Sequence, residues 1–295
     1  MADYILSCES TVDITEEHLR SGNIECVPYH YEIDGKEYRD DFGKTIPYEE
    51  FYRLLSEGAE TRTAQINIAG YEEFWRPFLE QGKDVVHISF SSGLTGGFNS
   101  ARNAALALEE EYPERKVYVV DSLGASSGYG LIVEAAAGKR DEGLSAEELV
   151  QWVEENRLKM HYWFFSTDLS FYVKGGRISK AAAVFGGALH ICPLLNMDVL
   201  GRLIPREKIR TKKRVMEEAV KRMELHAQNG RDYSGKCYIC HSACYEDAKK
   251  VADLIEERFP NLCGKPEIFW VGTTIGSHTG PGTVSIFFWG DERRD

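Results

Sequence analysis

The chain has 295 residues, 43% of them hydrophobic, which is enough for the core of one large or two mid-sized domains and too many for a disordered polypeptide. Asp and Glu number 47 against 35 Lys and Arg, a formal charge of −12, which argues against a protein held on nucleic acid by a general basic surface. No apolar run approaches the ~20 residues of a membrane span, and the N-terminus MADYILSCESTVD has neither the basic region nor the long apolar stretch of a secretory signal. These features imply a cytoplasmic protein without stable membrane insertion. The 7 cysteines, an odd number with no signal sequence, do not read as a disulfide framework.

In chain order, Tyr4–Ser7 (YILS) is a short strand. The turn CESTVD follows, and Thr15 is the expected N-cap of a helix carrying Glu16, Glu17 and Leu19. A second helix is predicted over Tyr48–Ser56, with Thr45 as N-cap, Pro47 near the first turn, and Phe51, Leu54 and Leu55 on one face. Asp84–Phe90 (DVVHISF) is a strand, followed by the glycine turn SSGLTGG and a helix with Ala101, Ala104, Ala105 and Leu108 at helical spacing. Lys116–Asp121 is another strand, leading through a Gly/Ser loop to an apolar helix at Leu131–Ala137. Ser145 and Glu148 form a capping box for the helix of Leu149, Trp152 and Val153. Strand, glycine turn, helix and strand are the sequence form of a βαβ unit and a largely parallel sheet.

Around residue 160 the character changes. His161–Leu169 reads as a strand or a hinge. Two amphipathic helices follow, one with Val215, Ala219, Val220 and Met223, the other with Ala248, Val251, Ala252 and Ile255. Strand-like runs occupy Lys236–His241, Glu267–Gly272 and Thr283–Trp289. This half reads as α+β with a mixed or antiparallel sheet. The expected organisation is an N-terminal α/β domain over 1–165 and a C-terminal α+β domain over 166–295, with a ligand in the cleft between them.

Several motifs compete for function. Gly124-Ala125-Ser126-Ser127-Gly128 fits the G-x-S-x-G nucleophile elbow, which would make Ser126 the nucleophile of a serine hydrolase, with a later Asp and a His such as His278. Against this, Asp121, Ser122 and Leu123 separate the strand from Gly124, and no HGGG-like oxyanion segment lies upstream. CYICHSAC contains C-x-x-C-H, but Cys237, Ile239 and His241 alternate with Tyr238 and Cys240 as in a strand, so neither haem nor a metal is assigned. Gly43-Lys44-Thr45 lacks the upstream glycine of a phosphate-binding loop, Tyr38 standing in its place, and no G-x-G-x-x-G follows a strand. The chain carries no visible ATP or dinucleotide machinery, and no cofactor is expected.

Four small polar segments remain: Thr61-Arg62-Thr63-Ala64-Gln65, Ser91-Ser92-Gly93-Leu94-Thr95-Gly96, Lys174-Gly175-Gly176-Arg177 and Gly276-Ser277-His278-Thr279-Gly280-Pro281-Gly282. Hydroxyls and free amides at glycine turns after parallel strands suit an anionic head group. In this order, with YILSCESTVDI, ISFSSGLTGGFNSA, VVDS, LSFYVKGGRISKAAA, KIRTKKR and IGSHTGPGTV, they resemble the DegV family of fatty-acid-binding proteins over nearly the whole chain.

The resemblance implies a two-domain α/β fold with a long-chain fatty acid buried between the domains. It also implies a role as the acyl-carrying, non-catalytic subunit of a bacterial fatty acid kinase, whose separate partner supplies ATP for acyl-phosphate formation and phospholipid synthesis. Thr63 and Ser92 match the carboxylate-binding hydroxyls, with Ser91 as the alternative register, and His278 matches the head-group histidine. Arg177 and Arg210 match basic positions that face the kinase or the transferring phosphate. Ala64-Gln65-Ile66-Asn67 departs from the family's Ser-Gln-Pro-Ser, removing a hydroxyl and a stiff proline but leaving Thr63.

A buried carboxylate needs donors because desolvating an unpaired charge is costly. Thr63 and Ser92 each offer one O–H, and His278 donates as neutral tautomer or cation. Burial at roughly 0.8 kcal/mol per CH₂ makes a tail of ~14 methylenes worth on the order of 11 kcal/mol gross, before ordering costs. Phe164, Phe165, Phe185, Leu189, Ile191 and Leu195 are the apolar candidates for the tail's surroundings.

Overall fold

A computed structural model describes residues 4–180 and 191–294; Phe185 and Leu189 lie outside the described residues. The N-terminal half runs β1 (Tyr4–Glu9), α1 (Glu16–Ser21), β2 (Ile24–Val27), β3 (His30–Ile33), β4 (Lys36–Arg39), α2 (Tyr48–Ser56), β5 (Thr61–Ala64), α3 (Ile68–Glu80), β6 (Asp84–Ser89), α4 (Gly97–Glu111), β7 (Val117–Asp121), α5 (Ser126–Asp141) and α6 (Ala146–Asn156). A four-stranded sheet, in the order β2-β1-β6-β7, is parallel throughout. Its strands are largely apolar because both faces are covered, and β6 is buried from Val85 to Ser89.

The local signals mostly act as expected. The Thr15 side chain accepts from the His18 amide, and Ser145 with Glu148 closes a reciprocal capping box. Thr45 does not cap α2. Pro47 precedes the helix, while the Thr45 amide and hydroxyl both donate to Asp41, the hydroxyl at 2.5 Å. The nearby acceptor turns Thr45 into a loop tie.

Nothing in the hydrophobic periodicity predicts the three-stranded antiparallel sheet, ordered β4-β3-β5. Its strands are four residues each, shorter than a period-2 pattern needs to stand out, and β4 is mostly exposed.

The C-terminal half runs β8 (Met160–Ser166), α7 (Ser170–Lys174), β9 (Ile191–Met197), β10 (Leu203–Arg210), α8 (Lys212–His226), β11 (Cys237–His241), α9 (Tyr245–Arg258), β12 (Glu267–Trp270), α10 (Thr273–Thr279) and β13 (Thr283–Trp289). Its six-stranded sheet has the order β10-β9-β8-β13-β11-β12, antiparallel except for the parallel β11–β12 pair. C-x-x-C-H is thus a strand of this sheet, as its alternation predicts. HYWFFS is likewise strand and not hinge, so the expected division at 165 falls inside β8. The fold is mixed α/β, with a parallel sheet in the N-terminal region and a separate sheet in the C-terminal region.

Helix α5 sits between the two sheets. It is buried almost all round, as a helix without a polar face must be. Gly128 permits the approach: a Cβ there would lie 2.4 Å from the Tyr162 ring and 2.7 Å from the Phe287 ring. One core cluster therefore joins Leu6, Val86 and Tyr129 to Tyr162 and Phe287. The far face of the six-stranded sheet packs on α8 and α9 through a second cluster that includes Trp163, Phe165, Val220 and Val251. Among the described residues, no helix is long and apolar enough to cross a membrane.

Candidate functional site

Between the sheets lies a cavity of about 1030 Å³, at the upper end of the size of small-molecule sites. Much of its wall is apolar and aromatic, including Phe90, Tyr162, Phe164, Met197, Ile275 and Phe287. The period of β8 decides which aromatics face it. Tyr162 and Phe164 line the cavity, while Trp163 and Phe165 point to α8 and α9. Of the expected tail-lining residues that are described, Phe164 lines the cavity; Phe165, Ile191 and Leu195 do not.

The polar part of the wall is built from four elements. Edge strand β5 presents Thr63, half-buried on the same face as Thr61. The turn before α4 presents Thr95, the segment after α7 presents Arg177, and α10 presents His278. His278 Nε2 lies 2.7 Å from Thr63 Oγ1, and an Arg177 Nη1 lies 3.3 Å from His278 Nδ1. Gly175 makes room for this contact, since a Cβ there would sit 2.3 Å from His278 Nδ1.

Protonation follows from the partners. Burial first, and then the Arg177 charge, pushes the His278 pKa down to about 4, so the ring is neutral near pH 7. A guanidinium only donates, so Nδ1 is the acceptor and the ring proton resides on Nε2. Nε2–H then donates to Thr63 Oγ1, which leaves the Thr63 hydroxyl proton free for an anion in the cavity. Burial also lowers the Arg177 pKa from its ordinary value.

Two buried carboxyls hold the start of α10. Asp13 Oδ1 accepts from the Gly272 amide at 3.0 Å and Asp40 Oδ2 from the Thr274 amide at 3.3 Å. Burial raises the pKa of both, that of Asp13 strongly.

The other expected residues lie elsewhere. Ser92 is exposed and does not line the cavity; its amide donates to Asp121 Oδ1 at 3.2 Å. Ser91 is buried, but its hydroxyl donates to the Gly201 carbonyl at 2.8 Å and it does not line the cavity either. The chain reverses after β6, which turns both serines away and brings Thr95, three to four positions on, to the wall. A hydroxyl beside the Gly96-Gly97 pair was the signal for it. Arg210 is exposed at the end of β10 and away from the cavity wall. Tyr29 and Gln65 also line the cavity; only Gln65 stands in a segment whose sequence drew attention.

Ser126 lines the cavity and has φ of 55°, the left-handed strain of a nucleophile elbow. Its partners do not fit that role. The Ser126 hydroxyl donates to Asp13 Oδ2 at 2.5 Å and lies 3.3 Å from Cys240 Sγ, while His278 is engaged by Thr63 and Arg177. A carboxyl, not an imidazole, occupies the place of the base.

Among the described residues, one group could offer a metal three ligands: His161, His226 and Asp291. The two rings stack at 5.0 Å with an interplanar angle of 20°, and His161 Nε2 is 2.8 Å from the Asp291 carbonyl. An N–H donated to a carbonyl is closed to a metal, so the group reads as a hydrogen-bonded stack.

Comparison with known proteins fits this geometry. The model of a family described as uncharacterised protein, DegV family, matches residues 6–291. A DegV domain-containing protein of Clostridium perfringens is 32% identical over 293 residues, 99% of each chain. A DegV family protein of Thermus thermophilus, solved in a study of its fatty acid binding, superposes with a TM-score of 0.85 at 27% identity, over 97% of this chain and 99% of that one. The Streptococcus pneumoniae fatty acid kinase B3 protein, loaded with linoleic acid, superposes with a TM-score of 0.83 over 99% of this chain and 100% of that one; its 20% identity speaks to the fold alone. With a family match over nearly its whole length and a relative of that name at 32% identity, the chain belongs to the DegV family.

Proposed function

We propose that the protein binds a long-chain fatty acid in the inter-sheet cavity and presents its carboxylate to a separate ATP-dependent kinase subunit in the cytoplasm. The observation that carries this reading is the Arg177–His278–Thr63 chain at the wall of a largely apolar cavity. It ends in a hydroxyl proton with no use except an acceptor in the cavity. Thr63 donates to the carboxylate, Thr95 takes the place expected for Ser92, and His278 fixes Thr63. Arg177 orients His278 and supplies positive charge near the head group. The fatty acid binding of the Thermus thermophilus relative supports the ligand class.

In this reading the chain is a carrier. Its sequence has no nucleotide-binding loop, and acyl-phosphate formation needs a partner that supplies ATP. Arg210 begins the basic run Arg210, Lys212, Lys213 and Arg214 at the junction of β10 and α8, and that run meets the partner. The test is an acyl-phosphate assay with palmitate and ATP. Product is expected when a fatty acid kinase ATP-binding subunit is added and not with this chain alone. Product from this chain alone contradicts the carrier reading.

A further inference from the structure

Tyr29 is 3% exposed, yet it lines the cavity with Thr63, Thr95 and His278. Its hydroxyl makes no well-formed hydrogen bond within the protein, and its one polar neighbour is the Thr95 side chain, itself on the cavity wall. Neighbouring buried tyrosines behave differently: the Tyr71 hydroxyl donates to Glu9 Oε1 at 2.9 Å and the Tyr129 hydroxyl to Glu9 Oε2 at 2.5 Å. A buried hydroxyl without a partner is destabilising, so a group left in that state at a cavity wall marks the place of an acceptor that comes from outside.

The position of that hydroxyl is fixed from three sides. The Tyr29 amide donates to Ser10 Oγ at 3.0 Å, its carbonyl accepts from the Asp40 amide at 2.9 Å, and its ring meets Phe90 edge-on at 6.3 Å. A Cβ on Gly97 would lie 2.9 Å from the hydroxyl, so the glycine at the start of α4 leaves room for it beside Thr95. Burial and the nearby Glu9 charge raise the phenol pKa, so the group stays an O–H donor, and it lies close enough to feel Arg177. The Tyr162 hydroxyl is also buried without a partner, but its charged neighbours are Arg293 and Asp121, not the His278 cluster.

We propose that Tyr29 is a ligand-binding residue whose hydroxyl donates to the carboxylate head group, together with the Thr63–His278 pair. The proposal rests on the fatty acid reading above. It assigns to the site a third hydroxyl donor, one that no small-polar segment of the sequence contains.

The test is Tyr29→Phe in the full chain, freed of lipid, with palmitate and hexadecanol as probes. Palmitate affinity is expected to fall about tenfold or more, the size of a lost charge-assisted hydrogen bond. Hexadecanol, which offers no charge, is expected to change less than about threefold. The empty variant is expected to melt about 2–4 °C higher, because an unsatisfied buried hydroxyl is gone. That pair of opposite signs distinguishes a ligand donor from a structural one. Unchanged palmitate affinity, an equal loss for both probes, or a lower melting temperature would each overturn the assignment. Parent protein that binds no palmitate would refute the fatty acid reading itself, a result distinguishable from a variant that binds as the parent does.

Discussion

His278 shows how much one side chain depends on its neighbours. With Arg177 on one nitrogen and Thr63 on the other, its tautomer is set and the Thr63 proton is aimed at the cavity. Thr63→Val keeps the shape but removes the donor and leaves His278 Nε2–H without its acceptor; palmitate affinity is expected to fall roughly tenfold to a hundredfold and the melting temperature by a few degrees, as isothermal titration and thermal denaturation would show. The pH dependence carries a sign. The folded-state pKa of His278 is pushed down to about 4, below the ordinary His value of about 6.5. The unfolded chain therefore takes the proton first, and the parent loses stability as pH falls from about 6.5 to about 4. His278→Gln cannot titrate and lacks that share, so urea unfolding across this range should show the parent losing ground to the variant. Subtracting the two curves removes the opposite contribution of Asp13, whose raised pKa favours the folded state as pH falls.

At this scale, Thr63, His278 and Arg177 were legible in the sequence because each stands in a short Gly/Ser/Thr-rich segment. The register of SSGLTGG was not legible. Ser91, Ser92 and Thr95 all carry hydroxyls, and only the path of the backbone after β6 decides which one reaches the cavity. Tyr29 gave no signal because an aromatic beside a strand reads as core.

Elements place these residues by means that differ in how well they announce themselves. Helix α10 holds His278 because its first turn is tied to Asp13 and Asp40, acids distant in sequence whose roles emerge only in three dimensions. The end of β1 is anchored by Glu9, a buried carboxylate that accepts from Tyr71, Ser89, Tyr129 and the Phe90 amide. Burial alone would raise its pKa, but His87, at 3.1 Å, together with the Tyr129 hydroxyl and the Phe90 amide, lowers it overall. Glu9→Ala is expected to destabilise by about 3–5 kcal/mol in chemical denaturation, since several buried donors lose their acceptor at once. Helix α5 makes a complementary case. Alanine favours a helix over glycine by about 1 kcal/mol, but at position 128 its Cβ would meet the Tyr162 ring at 2.4 Å. Gly128→Ala is therefore expected to be a net destabilisation, because overpacking typically costs 1–3 kcal/mol. Strands β1, β6 and β7 of the parallel sheet and helices α2, α4, α8 and α9 were readable from periodicity, whereas β2 and α3 were not. The four-residue strands β3, β4 and β5 were not, although β5 carries Thr63.

On the scale of the whole molecule, two sheets share one helix, and the cavity is the space they leave around it. In the proposed complex, burial of a tail of ~14 methylenes, on the order of 11 kcal/mol gross, would make the apolar wall the main source of affinity, while Thr63, Thr95, Tyr29 and His278 would set which end of the ligand lies where. The two-layer plan was readable from the change of character near residue 160, whereas the sharing of α5 was not, because its burial on all sides depends on a sheet that comes later in the chain. Whether a fatty acid fills this space is read directly by mass spectrometry of small molecules released on denaturing the freshly purified protein. A long-chain fatty acid at close to one per chain is expected. Protein that carries none, and takes up none when palmitate is added, would contradict that expectation.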